Sequence, residues 1–236
     1  MIRKTLFAAT LTVLGTSAIA GVSPEEAARL GKDLTPIGAE RAGNKDGTIP
    51  AWTGGITKPA AGWKVGDPRI DPYKDDKVLF SIDASNVDKY KDRLSEGQQT
   101  LIRTLKGYRM DVYPTRRSCG YADAVYERSA QNARVARLAE GGWQLENAVG
   151  GGVLFPIPKN GAEAVWNHKL RYQGEGRVEH YSTLFSNKSG NFSQLAQNQW
   201  LVYPLHEAST KSFDDVKKSE AKILNEVVAP AARAGE

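Results

Sequence analysis

The stretch Gly150–Tyr172, GGGVLFPIPKNGAEAVWNHKLRY, constrains this chain more than any other. Three consecutive glycines open backbone conformations that a Cβ closes. Pro156 and Pro158 hold the residues before them extended, so Phe155 and Ile157 point the same way and can bury together. Asn160 then offers a side-chain oxygen at a helix N-cap, and Glu163, three residues on, is placed to reach back to the cap. Ala162, Val165, Trp166 and Leu170 recur on one helical face. Glu163, Asn167 and Arg171 share another at four-residue spacing, where side chains pair. The stretch therefore predicts a rigid, extended entry into a capped helix that sets one helix against a sheet.

Around this corner the elements alternate in type. SPEEAARL, residues 23–30, predicts a short helix with Ser23 as cap and Pro24 at the first helical position. Residues 31–75 carry Gly, Pro, Asp and Lys with little periodicity. A stretch that long without elements is uncommon inside a compact domain, so it reads as an extended segment pinned by Trp52, Trp63 and Tyr73. Ser95 and Gln98 form a capping box before a helix, residues 110–114 a short strand, and residues 121–139 a further helix with Arg128, Arg134 and Arg137 toward solvent. Strand formers follow at 177–185 and 200–205 around a polar turn at 186–191, predicting an antiparallel hairpin or meander. Val216, Ile223 and Val227 predict a helix over 212–228.

The first twenty residues have the layout of a secretory signal: Arg3 and Lys4, an apolar run from Leu6 to Leu14, and Ala18-Ile19-Ala20 as a small-residue cleavage site. Gly21 is then the expected mature start, and the expected location is the periplasm of a Gram-negative cell. The apolar run is too short to span a bilayer. The formal net charge is +5; without Arg3 and Lys4, +5 less two leaves +3. That charge is mild and interleaved with acids, which argues against nucleic acid as a partner. Cys119, the only cysteine, reads as a buried spectator or as a residue whose partner lies outside this chain.

The chemistry-bearing residues argue against catalysis. The glycines at 150–152 lack both the Walker spacing and the dinucleotide-binding spacing. The three histidines, His168, His180 and His206, are not at metal-ligand spacing from one another. No Gly-x-Ser-x-Gly elbow occurs, and no pair of carboxylates is marked out for glycosidic chemistry. Trp143 and Trp166 read as buried structural residues rather than sugar-stacking ones. No catalytic residue, cofactor or metal is expected.

The GGVLFPIPKNGAEAVWNHKLRY stretch resembles the signature of a bacterial family of unknown function, the domain of unknown function numbered 1329. LTPIGAERAGNKDGTIPAWTGG at 34–55, DPYKDDKVLFSIDASNVDKYKDRLSEGQQ at 71–99 and YPTRRS at 113–118 resemble its other blocks. The resemblance covers essentially all of the chain after residue 20. It implies an exported α+β protein similar to outer-membrane lipoprotein-sorting proteins of the LolA/LolB type, a curved, unclosed antiparallel half-barrel packed with helices around an apolar concavity. Family members are usually about twice as long, so residues 21–236 are expected to be the N-terminal portion of one such domain with an incomplete sheet. The function implied is a periplasmic binding or carrier protein for lipid or another hydrophobic small molecule, with peripheral or no membrane association. The alternative is a non-carrier adaptor of a resistance-nodulation-division-type envelope transporter. On the carrier reading Phe155, Ile157, Trp166, Tyr181, Leu201 and Tyr203 are candidates for the ligand wall.

Overall fold

The computed structural model describes residues 21–230; the expected leader and residues 231–236 lie outside them. The fold is α+β, with three separate antiparallel sheets that do not close into a barrel. Residues 29–127 form one compact unit; residues 21–28 and those from 128 onward form the other. Helix α1 (Pro24–Ala27) is one turn built by its cap. Ser23 Oγ accepts the Glu26 N–H and the Glu26 carboxylate accepts the Ser23 N–H, both at 3.1 Å, so two otherwise orphaned donors are satisfied reciprocally.

In the smaller unit, β1 (Phe80–Ile82) pairs with β2 (Met110–Val112), and helix α2 (Glu96–Thr104) lies between them in sequence. The Ser95–Gln98 capping box starts α2 as expected. Ile82, Val87 and Ile102 form the buried core, with Tyr90, Leu94, Tyr108, Met110 and Val112 packed on it. Residues 31–75 hold no helix and only isolated bridges. Trp52 fixes the segment by donating from Nε1 to the Cys119 carbonyl at 2.9 Å. Tyr73 lies 5.0 Å beneath the Arg116 guanidinium, which also pairs with Asp76. Trp63 donates from Nε1 to the Asp67 carbonyl, four residues away, at 3.1 Å, a bond that staples a local turn. The strongest pin is Arg117, which donates to the carbonyls of Glu40, Arg41, Ala42 and Pro50 at 2.6–3.4 Å. The Cys119 thiol, read as buried, is exposed; its backbone, held by Trp52 and by pairing with Ile56, is what the fold uses.

The larger unit takes up helix α3 (Asp123–Val135) from Arg128 on, followed by β3 (Arg137–Leu138), β4 (Leu145–Glu146), α4 (Gly161–Lys169), β5 (Gly176–Ser186), β6 (Phe192–Val202), α5 (Phe213–Lys218) and β7 (Lys222–Ala229). Ala136, Leu145, Ala148, Leu154 and Phe155 make one core cluster in it, with Leu138, Trp166, Leu170 and Phe213 packed against it. Strands β5 and β6 are in register from Gly176↔Val202 to Ser186↔Phe192. Asn187 Oδ1 closes their turn by accepting the N–H groups of Ser189 and Asn191. β7 joins the free side of β6, giving the order β5-β6-β7.

Two expectations are corrected here. Residues 212–228 are a six-residue helix and then a strand, not one helix. The spacing of Val216, Ile223 and Val227 fits a helix. Branched Ile223, Val227 and Val228 nevertheless favour extended backbone, and the open edge of β6 offers them a ladder. Trp143, read as buried, is 89% exposed: Gly141 and Gly142 take φ of +80° and +76° and turn it outward.

Candidate functional site

Residues 149–155 form no regular element, so their backbone groups must be satisfied otherwise. Side chains from two helices do this. Asn132 of α3, fully buried, accepts the Val149 N–H at 2.8 Å and donates to the carbonyls of Val149 and Val153 at 3.0 and 3.2 Å. Ser129 Oγ accepts the Val153 N–H at 2.9 Å. Asn167 of α4 binds both backbone groups of Phe155, at 2.8 Å each. Arg128, expected in solvent, turns inward and donates to the carbonyls of Gly150, Glu207 and Ala208 at 3.1–3.2 Å. Asn167 is likewise drawn from the helix surface, where pairing with Glu163 and Arg171 was expected, because Phe155 offers it two partners at once. Asn160 caps α4 by accepting the Glu163 N–H at 3.0 Å, while the Glu163 carboxylate reaches one residue past the cap to the Lys159 N–H at 2.6 Å.

Beside this corner lies a cleft of about 560 Å³, lined among others by Ala136, Leu138, Phe155, Ile157 and Lys159. Phe155 and Ile157 both line this cleft. Trp166 stands behind the wall, half-buried, its Nε1 donating to the Gly142 carbonyl at 2.9 Å. Tyr203 lines a different and smaller pocket of about 260 Å³, with Leu170, Leu205, His206 and Val216. Tyr181 and Leu201 lie on one face of the three-stranded sheet, the first exposed and the second buried. The six wall candidates therefore do not converge on one surface.

The opposite face of that sheet carries what the sequence reading missed. Val178, Trp200 and Leu224 are cross-strand neighbours in one row over all three strands, and they are 58%, 36% and 64% exposed. Leu184 and Phe192 lie on the same face toward the turn end of the hairpin, both exposed, separated from that row by the His180–Asn198 and Ser182–Ala196 pairs. The neighbouring row is polar and internally bonded: His180 Nδ1 donates to Asn198 Oδ1 at 2.6 Å, and Asn198 Nδ2 donates to Glu226 at 2.8 Å. Alternation along β5 marks Val178 and Leu184 as one face. Leu224 was hidden because its strand reads as helix.

His206 is buried in the smaller pocket, with Nε2 donating to the Arg171 carbonyl at 3.0 Å. Its Nδ1 has no hydrogen-bond partner, and the Tyr172 and Tyr203 rings lie 5.2 and 5.9 Å away. Burial pushes its pKa below the ordinary value and the Arg128 charge pushes the same way, against the Arg171 hydrogen bond. A depressed pKa means that the neutral ring belongs to the fold. This contribution is fully present above the unfolded value of about 6.5 and is lost as pH falls through the folded value. The melting temperature should therefore fall on acidification from about pH 8 to about pH 5, and His206→Gln should flatten that slope. An equal slope in parent and variant would exclude His206 as its source.

Among the described residues no group of three His, Cys, Asp or Glu is placed to hold a metal, and no helix is long and apolar enough to cross a membrane. A family of proteins of unknown function, DUF1329, matches residues 81–236. The chain belongs to this family. An uncharacterized protein of Pseudomonas aeruginosa is 46% identical over 165 residues, which are 70% of this chain and 36% of that relative. This DUF1329 chain thus spans about a third of the length of the curated relative it matches. No solved structure matches.

Proposed function

We propose that this DUF1329 chain is part of an exported, periplasmic carrier of lipid or another hydrophobic small molecule, and that the ligand lies along the open face of the β5-β6-β7 sheet. The observation that carries this reading is the exposed row Val178–Trp200–Leu224, flanked by the bonded row His180–Asn198–Glu226. An acyl chain fits an apolar row, and a polar headgroup fits the neighbouring donors and acceptor. Covering about 200 Å² of such surface contributes about 5 kcal/mol before the cost of ordering the ligand. The three-stranded meander is on this reading one segment of a half-barrel of the lipoprotein-sorting type, with no catalytic step and no cofactor. The charged start, apolar run and Ala-x-Ala of residues 1–20 support export.

Brominated fatty acid is the probe of choice, because bromine quenches a tryptophan only in contact. We expect it to quench Trp200, and Leu224→Glu to weaken binding at least about tenfold by burying an unpaired charge. Trp200→Phe should remove the quenching while equilibrium dialysis still shows the ligand bound. Equal quenching in the parent and Trp200→Phe would place the ligand elsewhere. Absence of binding in all three would favour the adaptor reading, partner to an envelope transporter. The apolar cluster of exposed Ile56, Pro59 and Ile70 around half-buried Trp63 in the smaller unit would then be the surface to probe.

A further inference from the structure

Gly21 lies in an unusually confined place. Its φ is +90°, and a Cβ added there would stand 2.5 Å from the Ala133 carbonyl oxygen and 2.6 Å from that of Arg134. The next residue, Val22, is buried and donates its N–H to the Ala133 carbonyl at 2.9 Å. From the other side, Lys159 Nζ donates to the Gly21 carbonyl. Only glycine fits here, and it rests against the last carbonyls of the 13-residue helix α3. That end of a helix carries partial negative charge and attracts cations. In the sequence, Gly21 directly follows Ala18-Ile19-Ala20.

We propose that hydrolysis of the Ala20–Gly21 bond by a membrane-bound signal peptidase creates an α-ammonium at Gly21 that docks on the C-terminal carbonyls of α3 and anchors the start of the mature chain. The inference rests on the export reading. Water adds across the peptide bond: Ala20 keeps the new carboxylate, and the Gly21 nitrogen becomes an amine that takes up a proton at neutral pH. Before the cut, that nitrogen is an uncharged amide with one hydrogen. Afterwards it is a cation with three donors, one bond from a Cα at which an added Cβ would collide with two carbonyl oxygens. Lys159 is the competing cation at this spot. Glu163, which lines the same cleft, offsets it, and Arg137 is engaged with Glu146 at 2.8 Å. Processing thus finishes the fold of the larger unit as well as releasing the chain.

The test starts from the full precursor, exported in a Gram-negative host, with the intact mass of the periplasmic product measured. The expected mass is that of a chain starting at Gly21; any other start overturns the proposal at the export step. Given that start, the Gly21 amine should react with an acylating reagent at least about tenfold more slowly in the folded chain than in the same chain unfolded, because protonation and contact both block it. Acetylating the Gly21 amine keeps the glycine and removes the charge, and should lower the melting temperature by about 2–4 °C. A Gly21 start combined with an amine as reactive as in the unfolded chain, or with no change on acetylation, would leave export intact and overturn the anchor.

Discussion

Replacing Asn132 by alanine is expected to destabilise the larger unit by about 3–5 kcal/mol, since each buried backbone group left without a partner costs about 1–3 kcal/mol. Asn132 is fully buried, and its amide serves three backbone groups: the N–H and C=O of Val149 and the C=O of Val153. Val149 is itself buried, so water cannot replace the lost partner without opening the corner. Alanine also leaves a small cavity, which adds to the loss. Asn132→Asp should be no better. The carboxylate still accepts from Val149 but faces two carbonyl oxygens with no hydrogen to give, and a charge is buried besides. Ser129→Ala, which orphans the Val153 N–H, should cost about 1–2 kcal/mol. Guanidinium unfolding followed by circular dichroism measures all three. A loss below about 1.5 kcal/mol for Asn132→Ala would mean that side-chain packing, rather than these hydrogen bonds, holds the corner.

The contrast between Asn132 and Asn160 shows what a sequence displays and what it hides. Asn160 acts on a neighbour three residues away, so its capping role is readable from spacing alone, as are the boxes at Ser23 and Ser95. Asn132 acts on residues 17 and 21 positions away, and no local pattern marks it among the polar residues of α3. Arg117, Arg128 and Asn167 are the same case: each looks like a solvated side chain and is recruited by distant carbonyls. The hairpin β5–β6 was legible because branched and aromatic residues flank a polar turn. β7 was not, because apolar residues spaced by four and seven fit a helix, and only an available strand edge decides the matter. The candidate ligand face suffered from that error. Parity along each strand is readable, but the row Val178–Trp200–Leu224 exists only once the third strand is in register. Phe155 and Ile157, by contrast, were placed on one side by the two prolines alone, and they do share the cleft.

The same corner yields a larger effect from adding a single methyl group. Gly150→Ala is expected to cost more than about 4 kcal/mol, or to prevent folding, which places it beyond the usual range for overpacking. Gly150 is not in the left-handed region, so its backbone conformation is open to alanine; space is what forbids it. The new Cβ would fall well inside the Leu205 carbonyl oxygen and 2.9 Å from Thr210 Cγ2. Leu205 sits in the turn Pro204–His206, and that turn cannot retreat. Thr210 Oγ1 holds the Pro204 carbonyl, His206 holds the Arg171 carbonyl, and Arg128 ties Gly150 itself to Glu207 and Ala208. Gly151→Ala is the informative comparison. Its φ of +74° is strained for alanine, by about 1–2 kcal/mol, but the atom in its way is the Arg128 guanidinium, a side-chain end that can shift at the cost of its hydrogen bonds to Gly150, Glu207 and Ala208, where a backbone carbonyl cannot. Soluble yield and melting temperature of the two variants should rank Gly150→Ala well below Gly151→Ala, and the reverse order would mean that backbone strain outweighs crowding here. The turn that Gly150 crowds begins two residues after the end of β6 at Val202. Any Gly150→Ala protein that does fold should therefore also displace Trp200 and bind the brominated fatty acid more weakly. The triple glycine then matters to the sheet face through packing, although it touches no ligand.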